Sequence, residues 1–347
     1  MTPPTRPNSQ RVALYFIASP LQYLAARRIA DEFETGARQI LVYYKHGVAP
    51  LVRADEWDAA TYMPWPRFEP LPGPFGRLRR LKQNLHDIAA LIGQTEVIHV
   101  HSAVFDTEAI NYFVRGLPRL TGATTLRARI LPDGLINIRR YPLTRPKRLA
   151  QCLRKLRRLI APELDYTCFS GDRIGSDAPF VDRIYTLPLI PHQYPPGKVA
   201  ELPPLVERSP DMDIDNRRAL VVGQPLSGAR LMSEAQVEAV GREIEAWLKV
   251  HGIEEVHYKA HPKDPRRELL RPSYEILDLD EPLESYMARH AYAHVLGVRS
   301  TVLFLAREIY GPETSIIAFG LDRVRFKSAE ERRDMLDLMH HLKIEVR

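Results

Sequence analysis

Apolar and polar positions follow one another along this chain in two alternating periods. Residues 11–17, RVALYFI, are a continuous apolar run that predicts a buried strand, and the turn Ala18-Ser19-Pro20 closes it. Apolar residues then recur at helical spacing over 21–33. Proline at the start of that helix is tolerated, because the first amides of a helix lack an intrahelical partner in any case. The alternation goes on with a strand at 39–44, a helix over 77–92, a strand at 96–101 and a helix over 107–115. A strand at 128–131 stops abruptly at Pro132-Asp133-Gly134. A basic helix over 146–160 follows, then strands at 165–169 and 183–187. Short strands alternating with helices predict a parallel sheet covered on both faces, in the manner of a Rossmann-like domain.

The pattern breaks after residue 187. Seven prolines fall between 188 and 216 with little periodicity, which reads as a semi-rigid linker. A second alternating series then begins, with strands at 219–222, 255–259, 274–277, 292–297 and 315–319. Helices are expected over 233–251 and 300–309, and a charged amphipathic one over 328–342. The expected organisation is an α/β domain at 1–190, a linker at 191–216, a second α/β domain at 217–325 and a terminal helix at 326–347. Two Rossmann-like halves facing a cleft are the fold this order predicts.

Composition adds little to that picture except in its charge. Of the 347 residues 45% are hydrophobic and 27% charged, as in a globular protein with a sizeable core. The net charge of +6 is unevenly spread. Basic residues gather at Arg77, Arg79, Arg80 and Lys82, and again from Arg139 through Arg158, where acids are almost absent. Such runs are either solvated helix faces or surfaces for an anionic partner, a phospholipid leaflet or an acidic glycan. No nucleic-acid partner is expected, because no zinc-ligand spacing, aromatic RNA-binding signature or recognition helix accompanies the charge. The two cysteines, Cys152 and Cys168, belong to no metal or redox motif, and so few fit a reducing compartment. No run is long enough to span a bilayer, and the first apolar run is too short for a convincing signal peptide. A cytoplasmic protein is the expectation, with peripheral contact at the inner membrane left open.

In open parallel sheets ligands bind beyond the carboxyl ends of the strands, so the informative residues are those just after strands. Asp133, between proline and glycine, is a candidate general base, although Pro-Asp-Gly is also a common turn. His261, in Lys259-Ala260-His261-Pro262, titrates near neutrality and could donate to a departing phosphate; it could equally be a partly buried surface histidine. Ser300 and Thr301 follow Gly297-Val298-Arg299 at a strand end and a helix start. They could cap the helix or hold an anion on its free amides.

With these residues in hand, the chain resembles bacterial polysialyltransferases and lipooligosaccharide sialyltransferases. Ser19-Pro20-Leu21-Gln22 after the first strand resembles their opening. Asp133-Gly134, His261-Pro262 and Ser300-Thr301 correspond, in order, to their acidic-acidic-glycine, His-Pro and Ser-Ser/Thr motifs. The resemblance runs from about Arg11 to about Gly320. It implies a GT-B fold, a CMP-sialic acid donor, a glycan acceptor, and inversion at the anomeric carbon without a metal. By the same resemblance Asp133 would deprotonate the acceptor, His261 would assist the departing CMP phosphate, and Ser300 and Thr301 would bind it. Gln224 and Pro225 would lie near the nucleotide, and Glu284 would accept from ribose hydroxyls or be a solvated residue at a helix start. The chain departs from the family at Pro132, which stands where the first acidic residue of the motif is expected.

Two spaced aspartate pairs, Asp211 with Asp213 and Asp278 with Asp280, match the spacing used by metal-dependent glycosyltransferases. Neither adjoins the other motifs, so they read as solvated, and no metal or other cofactor is expected. Three alternatives stay open: another nucleotide sugar as donor, a non-catalytic module binding sugar nucleotides or acidic glycans, and a membrane-surface scaffold.

Overall fold

The computed structural model describes residues 10–134, 139–210, 217–261 and 263–347. Asp211 and Asp213, most of the tail of the proline-rich stretch, and Pro262 lie outside the described residues. The chain divides into two compact units: one holds 1–187 and 192–205, the other 188–191 and 206–347.

Unit 1 is a seven-stranded parallel sheet. Its strands are β1 (Arg11–Ile17), β2 (Arg38–Tyr43), β3 (Ala59–Tyr62), β4 (Val97–Ser102), β5 (Thr125–Ile130), β6 (Val181–Thr186) and β7 (Val199–Glu201). They lie in the order β3-β2-β1-β4-β5-β6-β7. Four helices accompany them: α1 (Pro20–Glu32), α2 (Gly76–Ile92), α3 (Glu108–Thr121) and α4 (Arg145–Leu156). The strand order reverses direction between β1 and β4, the switch point at which such sheets bind ligands. An apolar core lies between the sheet and α2 and α3, with Leu14, Phe16, Val100, Ile88 and Phe113 among its members.

The other side of the unit 1 sheet buries charge. Glu34 is fully enclosed and takes the Nδ1 of His99 at 3.0 Å, the Nε2 of His101 at 3.3 Å and the guanidinium of Arg129. Burial alone would raise the Glu34 carboxyl, but His101 and His99 hold it well below the usual range. His101 is stacked on Tyr15 at 4.5 Å, and burial depresses its own pKa.

Unit 2 repeats the topology with six parallel strands. They are β8 (Arg218–Val222), β9 (Glu255–Lys259), β10 (Glu275–Ile276), β11 (His294–Gly297), β12 (Ser315–Ala318) and β13 (Glu345–Val346), in the order β10-β9-β8-β11-β12-β13. This is the strand order of a dinucleotide-binding fold, with the switch point between β8 and β11. Its helices are α5 (Glu234–Val250), α6 (Leu283–Met287), α7 (Thr301–Tyr310) and α8 (Ala329–His341). Helix α5 begins at a full capping box, in which Ser233 and Gln236 each bond the other's backbone amide.

Most expected elements form within a few residues of their predicted bounds, and one strand does not form. Segment 165–169 is irregular, although Asp165, Tyr166 and Phe169 are buried. Side chains satisfy its backbone in place of a neighbouring strand. Asn111 bonds both the amide and the carbonyl of Thr167, and Gln151 accepts from the Phe169 amide at 3.1 Å. Burial of an apolar segment thus reports packing here rather than pairing. Three edge strands escape the pattern, β3, β7 and β13, since each is short and only half buried or exposed. Strand β7 falls within the proline-rich stretch. Helix α3 runs on to Thr121 through Pro118. Both cysteines are free thiols. Among the described residues no helix is long and apolar enough to cross a membrane.

Candidate functional site

The carboxyl edge of the unit 2 sheet gathers five of the seven expected residues. Strand β8 ends at Val222, and the Gly223 amide bonds the Lys259 carbonyl at 2.9 Å. A side chain at Gly223 would collide with the Tyr258 hydroxyl, 2.3 Å from its Cβ position, so glycine permits this close approach of β8 and β9. The next residue, Gln224, reaches across the switch point. Its Oε1 accepts from the Arg299 amide at 3.1 Å, tying the turn after β8 to the turn after β11. Gln224 thereby positions the Ser300 segment and keeps its amide nitrogen for other use. Pro225 is half buried beside it.

Ser300 is the N-cap of α7, and its hydroxyl oxygen accepts from the Val302 amide at 3.3 Å. The capping role is therefore real, and it leaves the hydroxyl proton to donate. Thr301 opens the helix; among the described residues no acceptor meets its amide or hydroxyl, and both are part exposed. A helix N-terminus with two hydroxyl donors suits an anion.

His261 follows β9, the strand on the far side of β8 from β11, so its turn lies roughly 10 Å along the edge from the Ser300 turn at ordinary strand spacing. The Lys263 amide donates to its Nδ1 at 3.0 Å. Neutral His261 therefore carries its proton on Nε2, which is free to donate. Burial lowers its pKa, and the charge of Lys263 lowers it further. An arriving phosphate would oppose both effects and favour the imidazolium.

Two cations within these motifs carry no role in the sequence reading. Lys259 ends β9, is half buried and donates to the Leu277 carbonyl at 3.2 Å; burial depresses its pKa. Arg299 precedes Ser300, with its guanidinium 5.2 Å over the Phe326 ring and 3.5 Å from Glu331. The available signal was simple. A basic residue stands just before each of the two motifs, at a strand end.

Glu284 is not a solvated residue. It is 6% exposed in α6, burial raises its carboxyl pKa, and its Oε2 meets no donor among the described residues. An enclosed carboxyl with an unused oxygen suits a ligand hydroxyl. Asp278 and Asp280 are exposed.

The loop after β8 is fixed from the side. Glu268 accepts from the amides of Leu226, Ser227 and Gly228 at 2.7–3.1 Å and from the Ser227 hydroxyl. Burial would raise this carboxyl, but the three amides and the hydroxyl hold it below its ordinary value. A carboxylate thus already fills the amide nest of the first crossover.

Asp133 belongs to unit 1. The Leu131 amide continues the ladder onto Ser102, Pro132 is buried, and Asp133 is half buried just beyond. Burial, and then the Asp133 carboxylate, raise the pKa of the Tyr44 phenol, which places the two groups within electrostatic reach. Ser19-Pro20-Leu21-Gln22 proves to be a helix start. Ser19 accepts from the Gln22 amide at 3.3 Å, and the Gln22 side chain accepts from the Ala18 amide at 2.7 Å.

The model of the alpha-2,8-polysialyltransferase family matches residues 193–318. That segment of the chain is polysialyltransferase-like. It contains Gln224, Pro225, His261, Glu284, Ser300 and Thr301, and it does not extend to Asp133 or to the Ser19–Gln22 turn. The match thus ties the unit 2 edge to a glycosyltransferase family. A search of curated proteins finds no match. Among solved structures, a glycosyltransferase from Streptomyces nogalater is similar with a TM-score of 0.48 and 13% identity, over 97% of this chain and 96% of that one. MurG from Acinetobacter baumannii is similar with a TM-score of 0.47 and 8% identity, over 97% and 85%. Neither likeness bears on what this chain acts on.

Proposed function

We propose that the chain is a GT-B glycosyltransferase that moves sialic acid from CMP-sialic acid to a glycan acceptor, with inversion and without a metal. The observation that carries the reading is the unit 2 edge. There Gln224 and the Ser300-Thr301 helix start meet at the switch point, and His261 stands one strand further along the same carboxyl edge, all inside the polysialyltransferase-like segment. Two Rossmann-like units support the GT-B assignment.

In this reading Asp133 takes the proton of an acceptor hydroxyl. The acceptor oxygen forms its bond to the anomeric carbon as the bond from that carbon to the CMP phosphate breaks, and the electron pair leaves on the phosphate. Negative charge grows there, so donors already in place lower the barrier: Nε2–H of His261, the hydroxyls of Ser300 and Thr301, and the charges of Lys259 and Arg299. Glu284 would take ribose hydroxyls. An acceptor belonging to a capsule or lipooligosaccharide would put the enzyme on the cytoplasmic face of the inner membrane.

The test is CMP release from CMP-sialic acid in the presence of a galactoside array, with and without a chelator. Release that survives chelation is expected. Intact protein that releases nothing from this donor, but turns over another nucleotide sugar, would leave the transferase and remove the sialyl assignment. Pro132 favours a second reading, a sugar-nucleotide-binding protein without turnover. Tight CMP binding with no release from any donor would establish it.

A further inference from the structure

Helix α4 packs the wrong way round. A surface helix ordinarily buries its apolar stripe and shows its charges to water. In α4 and the short 3-10 turn that follows it, Leu149, Leu153, Leu156 and Ile160 stand one helical turn apart, and each is between 56% and 83% exposed. The face turned toward unit 1 is polar. Gln151 is its only buried residue and caps the Phe169 amide. Lys147 pairs with Asp106 at 2.8 Å, Arg154 donates to the Asp106 carbonyl at 2.8 Å, and Arg157 pairs with Glu108 at 2.5 Å. Ion pairs hold the helix on, and its apolar face is left in water.

The surroundings of that stripe are cationic. Arg145 and Arg148 on the helix and Arg158 in the turn after it are exposed, and none pairs with an acid among the described residues. Nearby acids are already taken: Glu108 is shared by Arg77, Arg154 and Arg157, and Glu163 pairs with Lys82 at 2.5 Å. The Arg77 guanidinium is lowered by burial and then by the charges of Arg157, Arg154 and Arg67, so these four cations share one neighbourhood. Two more apolar side chains stand out beside it. Phe68 and Phe75 are 75% and 80% exposed, next to Arg67 and near Arg77 at the start of α2.

We infer that this face of unit 1 docks on an anionic lipid leaflet, with the Leu149–Ile160 stripe and the two phenylalanines entering the acyl boundary and the arginines lying at the headgroups. The charge complementarity selects the partner. Apolar side chains rimmed by unpaired arginines suit an interfacial helix on acidic lipid. An acidic glycan would satisfy the arginines and leave the leucines in water. A second copy of this chain would bring the same arginines against one another. The inference uses residues outside the transfer chemistry, so it stands whether or not the donor is CMP-sialic acid.

Flotation of the full chain tests it, using vesicles of phosphatidylcholine alone and vesicles in which about a third of the lipid is phosphatidylglycerol. Binding is expected on the acidic vesicles only, and it should weaken as salt rises. Combined Leu149→Gln, Leu153→Gln and Leu156→Gln should lower partitioning at least about tenfold with an unchanged melting temperature, since these side chains bury little in the fold. Arg145→Gln with Arg148→Gln should lower it about tenfold and flatten the salt dependence. Equal flotation of the leucine variant, or no binding to either vesicle, overturns the inference. A dimer in sedimentation that the leucine variant dissolves would also overturn it, because the face would then be a contact between copies.

Discussion

The two units share a strand order and treat their carboxyl edges differently. In unit 1 the first crossover leaves little for a ligand. Ser19 caps α1, Pro20 has no amide proton, and Gln22 turns back onto Ala18. In unit 2 the first crossover is also closed, by Glu268 on the amides of 226–228. Its fourth strand, β11, instead opens onto Ser300, Thr301 and the start of α7, held in register by Gln224. Histidines follow the same division. Unit 1 encloses His99 and His101 around Glu34, and unit 2 encloses His257 against Tyr292, but His261 stands beyond β9 with Nε2 free. The same topology can therefore close one edge with its own side chains and leave free donors at another, and side-chain placement after the strands decides which.

The sharpest break in this comparison would come from turnover. His261→Ala should cost about 100- to 1000-fold in kcat, and Asp133→Asn about as much or more, with CMP affinity falling only in the first. Full turnover in either variant removes that residue from the mechanism. If Asp133→Asn weakened CMP binding as well, the division between an acceptor-side base and a donor-side unit would be lost.

The buried half of the comparison is read by stability. Glu34→Gln should destabilise the fold by about 3 kcal/mol, the low end for a broken buried pair, because it takes the carboxylate from the two histidines and leaves Arg129 with Asp182 alone. The pH sign follows from the lowered Glu34 pKa. Its stabilisation is complete above the ordinary carboxyl range and is lost as pH falls toward the folded value. Denaturant midpoints measured from neutral to acid pH should therefore fall for the parent and fall less steeply for the variant.

Ser300→Ala and Thr301→Ala separate capping from ligand binding. The first should lower stability by about 1 kcal/mol and weaken CMP binding. The second should weaken CMP binding, by about tenfold, with stability almost unchanged. Unaltered CMP affinity in both would reduce this helix start to a cap.

The smallest effect is expected at the closed crossover. Glu268→Gln should cost about 1 kcal/mol, a modest figure because the carboxylate is part exposed and screened. Its lowered pKa again puts the loss on the acid side, so parent and variant should converge as pH falls through that range. A large rise in CMP affinity in this variant would instead show that the 226–228 amides are a second anion site that Glu268 blocks.

Much of this architecture was legible in the order of residues. Short continuous runs such as RVALYFI and ALVV, bounded by turn residues, read as strands buried on both faces, and helical spacing between them implies parallel pairing with crossovers. The strand-end positions of Asp133, Gln224, His261 and Ser300 followed from the same pattern. Tertiary structure decided what a periodicity cannot carry. Segment 165–169 has the burial of a strand, but Asn111 and Gln151, distant in sequence, take its backbone bonds. Sequence left Glu284 open between a ribose-hydroxyl acceptor and a solvated residue at a helix start, and its enclosure in the fold removes the second. The nest after β8 is filled by a glutamate some forty residues on. Helix α4 reads as a basic helix in sequence, and ion pairs to Asp106 and Glu108 turn its apolar stripe outward. In segment 165–169, the β8 nest and α4 the deciding partner comes from another part of the chain. Local sequence determines which face of an element is apolar, whereas only the assembled fold determines what that face, or an ionisable group beside it, will meet.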